Sequence, residues 1–169
     1  MELQSIRKSS DAESYDGPIA SIHVRRTDKL HSEAKFHAVE EYMFHVERFF
    51  ELKEVEYGLE TGSTRPPPWS RRQRVFLASD EASVFQETRS RYPRYEFIGQ
   101  QRNGSVDKSR FSTAGVYAIL VDLHLLVSSD FLVCTASSNV CRLAYELLLI
   151  KSPSHGDAAF QMQSVDEMY

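Results

Sequence analysis

The chain has 169 residues, of which 41% are apolar and 26% charged, and its formal net charge is −4. This size and composition are ordinary for one globular domain with a sizeable core. The acidic balance argues against general nucleic-acid binding, which needs a basic surface. No apolar run approaches the roughly 20 residues of a membrane span. Residues 1 to 17 are polar throughout, have no assignment and are expected to be disordered.

Strand-like apolar runs alternate with stretches of helical periodicity, which is the pattern of βα units on a parallel sheet. The predicted strands are Pro18 to Val24, Val75 to Ala78, Tyr95 to Ile98 and Phe131 to Cys134. The first predicted helix has an apolar face made of Val39, Tyr42, Met43, Val46, Phe49 and Phe50. Later helices are predicted around Val84 and Phe85, over Val116 to Val127 and over Val140 to Ile150. Residues 58 to 72, with two glycines and three consecutive prolines, predict a surface loop.

The most informative motif begins where the first strand ends, at His23 to Lys29, and continues to Glu33. Its adjacent guanidiniums, Arg25 and Arg26, suit a diphosphate, because each offers a planar fork of donors and stays charged near pH 7. Asp28, Lys29 and Glu33 add proton-transfer groups in the same loop. The alternative is a solvated loop whose charges form surface ion pairs.

Polar residues also follow the other strands, at Asp80-Glu81 and at Ser137-Ser138-Asn139. The serines begin a predicted helix, where they could cradle an anion or serve as an ordinary cap. Since loops after parallel strands meet at one edge of the sheet, both segments are expected to share a site with Arg25 and Arg26.

Two cysteines, Cys134 and Cys141, lie seven positions apart across the last predicted strand-to-helix turn. They could be two buried thiols or a disulfide, and a disulfide would imply an oxidising compartment. Their spacing does not suit zinc.

Four segments together resemble the eukaryotic α1,6-fucosyltransferases: residues 23–29, 36–43, 122–124 and 131–142. The resemblance runs from about Pro18 to Tyr169. It implies transfer of fucose from GDP-fucose to the 6-hydroxyl of the innermost N-acetylglucosamine of an N-glycan. Residues 18–169 would then form an α/β, Rossmann-like domain, the C-terminal donor-binding half of a GT-B-type glycosyltransferase, with the 58–72 loop as an insertion.

The same resemblance implies how the donor is bound. Arg25 would bind the β-phosphate and Ser138 the diphosphate, while His23 and Asp122 would contact the guanine. The residues implied to shape the same pocket are Arg26, Asp28, Tyr42, Asp80 and Glu81. Asp80, Glu81 and Asn139 would lie toward the acceptor.

For catalysis the resemblance implies Glu33 as the base for the acceptor hydroxyl, with Lys29 beside it. The sequence has no Asp-x-Asp pair, and two arginines can neutralise the departing diphosphate, so no metal or other cofactor is expected. Each role has a structural alternative: His23 could be a core histidine, Tyr42 a packing residue and Glu33 a helix cap. The remaining histidines His31, His37 and His124 are expected to be structural.

By resemblance, the complete enzyme would work in the Golgi lumen and reach the membrane only through an anchor absent from this chain. Its amino-terminal half and a following SH3-like domain are missing here, so the chain is expected to be a fragment. The alternatives are a GDP or GDP-sugar binding module without transferase activity, and a structural fragment that binds nothing.

Overall fold

The computed structural model describes residues 15–26, 36–100, 112–151 and 161–166. Strands and helices alternate along these segments. In chain order they are β1 (Ile19–Val24), α1 (Val39–Thr61), a 3₁₀ turn (Pro68–Arg71), β2 (Gln73–Ser79), α2 (Ser83–Arg91), β3 (Tyr95–Ile98), α3 (Thr113–Ser128), β4 (Phe131–Cys134), α4 (Asn139–Lys151) and β5 (Met162–Ser164). None of the described helices is long and apolar enough to cross a bilayer.

The five strands form one parallel sheet in the order β3-β2-β1-β4-β5. β1 lies at the centre, pairing with β2 through Ile19↔Arg74 and with β4 through Ala20↔Phe131. The chain first adds strands on one side of β1 and then returns to the other side. The crevice outside the carboxyl ends of β1 and β4 is therefore the switch point at which sheets of this kind bind ligands.

Each face of the sheet carries its own apolar core. Because side chains alternate along a strand, Ile22 and Val24 face one side and Ile19 the other. α1 and α2 cover the first face, and α3 and α4 cover the second. The predicted α/β, Rossmann-like architecture with helices flanking a parallel sheet is confirmed.

Helix α1 confirms the predicted apolar face, since all six of its predicted positions are buried. The predicted loop over residues 58–72 is wrong at both ends. α1 continues through Gly58 and ends at Thr61, and the C-cap residue Gly62 has a φ of 66°, which suits glycine. The prolines then lead into the 3₁₀ turn, where Trp69 packs against both cores. A glycine inside a helix lowers the helix's stability by only about 1 kcal/mol relative to alanine, so Gly58 does not end α1.

The other predicted bounds differ slightly from the structure. β1 begins at Ile19 and β2 extends to Gln73–Ser79, while the predicted bounds of β3 and β4 are confirmed. The helices α3 and α4 are each longer by a few residues. β5 was not predicted, because three residues are too few to show a periodic pattern.

The predicted disorder of residues 1 to 17 is wrong for its last three positions. Tyr15 is buried in the core, its hydroxyl donates to the Pro18 carbonyl at 2.8 Å, and the Arg74 guanidinium lies 4.5 Å from its ring centroid. Residues 1 to 14 lie outside the described part of the chain.

Among the described residues, Arg74 is the largest fully buried side chain, and it pairs with Glu96 on β3. Its Nε lies 2.7 Å from Oε2 of Glu96, and the Arg72 Nε reaches the same oxygen at 2.8 Å. Partial burial alone would raise the pKa of Glu96, but hydrogen bonds from Arg74 and Arg72 outweigh it and hold that pKa below its ordinary value.

The disulfide between Cys134 and Cys141 forms in the structure, with a Cα–Cα distance of 5.9 Å. It joins the last residue of β4 to the first turn of α4. The loop between these elements, residues 135 to 138, is therefore closed covalently as well as by its hydrogen bonds.

We expect Arg74→Ala to lower the free energy of unfolding by about 3 kcal/mol, because a buried charge pair is broken and its packing is lost. Chemical denaturation measures this loss. Arg72→Ala is the matched control, because Arg72 pairs with the same Glu96 carboxylate but its own side chain is 44% exposed. The control should cost less than about 1 kcal/mol, and equal losses would contradict the assigned role of burial.

We expect Cys141→Ala to lower the free energy of unfolding by about 2.5 kcal/mol, the chain-entropy contribution of a loop this short. Reductant should destabilise the unsubstituted protein similarly and leave the variant unchanged. Two titratable thiols in denatured, unreduced protein from an oxidising compartment would reject the bridge.

Candidate functional site

Three loops meet at the carboxyl edge of the sheet around the switch point. They follow β1 at Arg25 and Arg26, β2 at Asp80 and Glu81, and β4 at residues 135 to 138. Their convergence was predicted from the sequence, and the central position of β1 produces it.

Arg26 is held at this edge by several contacts. Its backbone N–H donates to Asp80 Oδ1 at 2.9 Å, its Nη1 donates to Glu87 Oε2 at 2.7 Å, and its guanidinium lies 5.0 Å from the Phe36 ring centroid. The side chain is only 10% exposed, yet Nε and Nη2 have no hydrogen-bond acceptor in the described segments. Buried donors of this kind cost about 1–3 kcal/mol each when unsatisfied, which points to an acceptor supplied by a ligand.

The Ser138 hydroxyl is a second buried polar group without a partner in the described residues, and it lies after β4, the strand paired with β1. The residue is 1% exposed, and its Oγ makes no hydrogen bond within the described part of the chain. Ser138 directly precedes α4, so the positive end of that helix dipole lies beside the hydroxyl. A buried hydroxyl donor at a helix start suits an anionic oxygen.

Tyr42 lies at the base of the crevice, on the first turn of α1, and is 1% exposed. Burial raises the pKa of its hydroxyl, and the nearby carboxylates of Asp166 and Glu41 raise that pKa further, although Arg26 opposes them. The phenol is therefore neutral at physiological pH. The packing role weighed from the sequence is confirmed, because the ring lies in the apolar core. The role in the donor pocket stays a prediction.

The predicted acceptor-side residues Glu81 and Asn139 are each engaged locally. The Glu81 carboxylate accepts a hydrogen bond from the Ser83 hydroxyl, and its backbone N–H donates to Ser79 Oγ at 3.1 Å. Asn139 is exposed, and its Oδ1 accepts from Arg142. Both lie at the crevice edge of the sheet, at the starts of α2 and α4.

The two residues predicted to contact guanine share one face of the sheet. His23 is half-buried near the end of β1 and, by strand alternation, faces α3 and α4. Asp122 is half-buried on α3, about 13 Å along the helix from Thr113. The predicted residues Asp28, Lys29 and Glu33, together with His31, lie outside the described residues.

Sequence analysis missed Glu41, Glu87 and Asp166 as residues of this edge. Glu87 anchors Arg26, and Asp166, after β5, contacts His37 and the Ser137 N–H. The spacing of His37 and Glu41 could have suggested their pairing at i, i+4. No comparable signal marks Asp166, because the strand before it is too short to be recognised.

The family model described as "Alpha-(1,6)-fucosyltransferase N- and catalytic domains" matches residues 2–169. The match includes residues 2 to 17, which had no assignment from the sequence. An α-(1,6)-fucosyltransferase of Drosophila melanogaster is 44% identical over 158 residues, covering 92% of this chain and 23% of the relative. One of Caenorhabditis elegans is 36% identical over 155 residues, covering 90% of this chain and 25% of the relative.

A solved structure of NodZ α-1,6-fucosyltransferase, co-crystallised with GDP, has a TM-score of 0.40 at 18% identity and covers 78% of this chain and 36% of its own. Of the Drosophila melanogaster and Caenorhabditis elegans relatives, the chain spans about a quarter of the length. On the strength of the family match over nearly its whole length, the chain belongs to the α-(1,6)-fucosyltransferase family.

Proposed function

We propose that this chain is the GDP-fucose-binding part of an α-1,6-fucosyltransferase that modifies the innermost N-acetylglucosamine of N-glycans. The observation that carries the proposal is a set of buried donors on Arg26 and Ser138 that have no acceptor in the described segments. They lie on either side of the β1–β4 switch point. A diphosphate supplies acceptor oxygens to both. Family membership makes that diphosphate part of a nucleotide sugar.

The donor sits with its diphosphate between the arginines and the Ser138 turn. Arg25 binds the β-phosphate, and the neighbouring Arg26 guanidinium is held at the same edge by Glu87. Asp80 accepts the Arg26 backbone N–H and so orients the loop that carries both arginines. His23 and Asp122 contact the guanine from the face covered by α3.

The reaction is a single displacement with inversion at the anomeric carbon. The acceptor's 6-hydroxyl attacks, Glu33 removes its proton with Lys29 beside it, and GDP departs with the bonding electron pair. Negative charge grows on the diphosphate as the bond breaks, and fixed positive charge aimed at it lowers the barrier. Arg25 and the Ser138 turn supply that charge and its hydrogen bonds, so the chemistry needs no metal.

The compartment proposed for this activity is the Golgi lumen. The disulfide next to the proposed phosphate site fits an oxidising lumen, where disulfides persist. An N-glycan acceptor belongs to the same secretory setting.

We expect the 169-residue chain to bind GDP, and Arg25→Ala to weaken binding by roughly 1.5 to 3 kcal/mol, because a charged hydrogen bond is lost. Isothermal calorimetry measures both affinities. Arg25→Lys should also bind weakly, since a point charge lacks the planar fork. Arg71→Ala, an exposed arginine at the opposite edge of the sheet, is the matched control.

A chelator should leave the GDP affinity unchanged. No binding by the unsubstituted chain would refute the proposed function. Equal affinity in Arg25→Ala would remove Arg25 from the site, and dependence on manganese or magnesium would contradict the role of the arginines as the diphosphate's counter-charges.

We expect Glu33→Gln to lower the rate of fucose transfer by at least about a hundredfold. Its GDP affinity should stay within about threefold of the unsubstituted protein. The base contacts the acceptor and not the nucleotide, which is why the two effects separate. The assay uses a chimera in which this chain replaces the matching segment of the Drosophila melanogaster relative. Its readout is fucose incorporated into an N-glycan free at the core 6-position.

In that chimera, Arg25→Ala should lose both transfer and GDP binding. Full activity of Glu33→Gln would remove the proposed base. A chimera that binds GDP but never transfers fucose would favour the alternative, a nucleotide-binding module without activity.

A further inference from the structure

A buried histidine joins the start of α1 to the far side of the crevice. His37 is 7% exposed and lies two residues before α1. Its Nδ1 lies 2.8 Å from Glu41 Oε2, and its Nε2 lies 2.9 Å from Asp166 Oδ1. The ring therefore connects the start of α1 to the segment after β5. His37 and Asp166 are 129 positions apart in the sequence.

Asp166 carries the link onward to the proposed phosphate-binding turn. Its Oδ2 accepts the Ser137 backbone N–H at 2.8 Å, one residue before Ser138. Ser164 accepts the preceding N–H, that of Ala136, at 3.1 Å, and also accepts the Asp166 N–H at 3.1 Å. The end of β5 thus provides acceptors for two consecutive amides of the turn.

The electrostatics of Asp166 agree with this arrangement. Partial burial favours a higher pKa, but the Ser137 hydrogen bonds and His37 outweigh burial and hold the pKa of Asp166 below its ordinary value. The carboxylate is therefore ionised at neutral pH, and both its oxygens are available as acceptors.

We propose that His37 and Asp166 are a positioning pair that fixes the Ser137–Ser138 turn for the nucleotide diphosphate. The inference rests on the proposed function, because the turn is assigned there to the donor's phosphates. Neither side chain needs to touch the ligand. His37 fixes the position of the Asp166 carboxylate, and that carboxylate fixes the position of the Ser137 amide. The Ser138 hydroxyl is then positioned because Ser138 is the next residue of the backbone.

The geometry distinguishes the pair from ordinary packing. His37 lies between two carboxylates, and a different ring nitrogen faces each of them, Nδ1 toward Glu41 and Nε2 toward Asp166. A glutamine at position 37 places its amide nitrogen near the place of Nε2 and can still reach Asp166. The shorter asparagine places its amide near Nδ1, so it keeps the Glu41 contact and loses the Asp166 contact.

The test compares these two variants in the 169-residue chain, with GDP and guanosine as ligands. His37→Asn should weaken GDP binding about tenfold, whereas His37→Gln should stay within about threefold of the unsubstituted chain. Asp166→Ala should match His37→Asn, and the double variant should be no weaker than either, because both break one link. Guanosine, which lacks phosphates, should bind all variants alike.

Hydrogen exchange at the Ser137 amide gives a readout that does not depend on the ligand. Exchange should accelerate in His37→Asn and Asp166→Ala and stay unchanged in His37→Gln. The control is Glu56→Gln, which removes an exposed ion pair with Lys53 on the same helix and should change neither exchange nor GDP affinity.

Unchanged GDP affinity in His37→Asn, equal losses in the asparagine and glutamine variants, or an equal loss of guanosine binding would each overturn the proposal. Absence of GDP binding in the unsubstituted chain would refute the proposed function instead. Exchange at Ser137 would then still decide whether His37 positions the turn. Should Asp166→Ala fail to fold, the His37 pair decides the matter alone.

Discussion

Pairing of β1 with both β2 and β4 is the constraint on which the site depends. It brings the segment that carries Arg25 and Arg26 next to the turn that carries Ser138, more than 100 positions later. The disulfide then holds that turn between β4 and α4, and Asp166 holds it from the side of β5. Loss of the β1–β4 register would separate the two groups of donors even if every residue of the site remained.

Within the described residues, the same edge contains buried side-chain donors that have no hydrogen-bond partner. Arg26 is fixed by Asp80, Glu87 and Phe36, but two of its donor atoms have no acceptor in the described segments, and neither does the Ser138 hydroxyl. A fold optimised only for stability would satisfy these groups or replace them. Buried donors held in place without partners are instead typical of a site prepared for an anion.

Much of this arrangement follows from local sequence patterns. The apolar face of α1 repeats every three or four residues, and strands such as β4 are short apolar runs, so both the elements and their parallel layering are predictable. The placement of Arg26 and Ser138 at one edge follows from the general rule for parallel strands. What local patterns do not contain is tertiary pairing: Glu87 as the anchor of Arg26, β5 as an edge strand, and Asp166 as the partner of His37. His37, expected to be merely structural, acquires its significance only from that distant contact. The loop over residues 58–72 was misjudged because a single glycine weakens a helix without ending one that is stabilised by its packing.

The central claim is that the nucleotide diphosphate lies at the β1–β4 switch point. The most direct test is a structure of the chain bound to GDP. The account predicts that the diphosphate oxygens contact Arg25, the Nε or Nη2 of Arg26, and the Ser138 hydroxyl. A diphosphate bound elsewhere, for example in the cavity at the opposite edge of the sheet lined by Lys53, Tyr57 and Trp69, would contradict it.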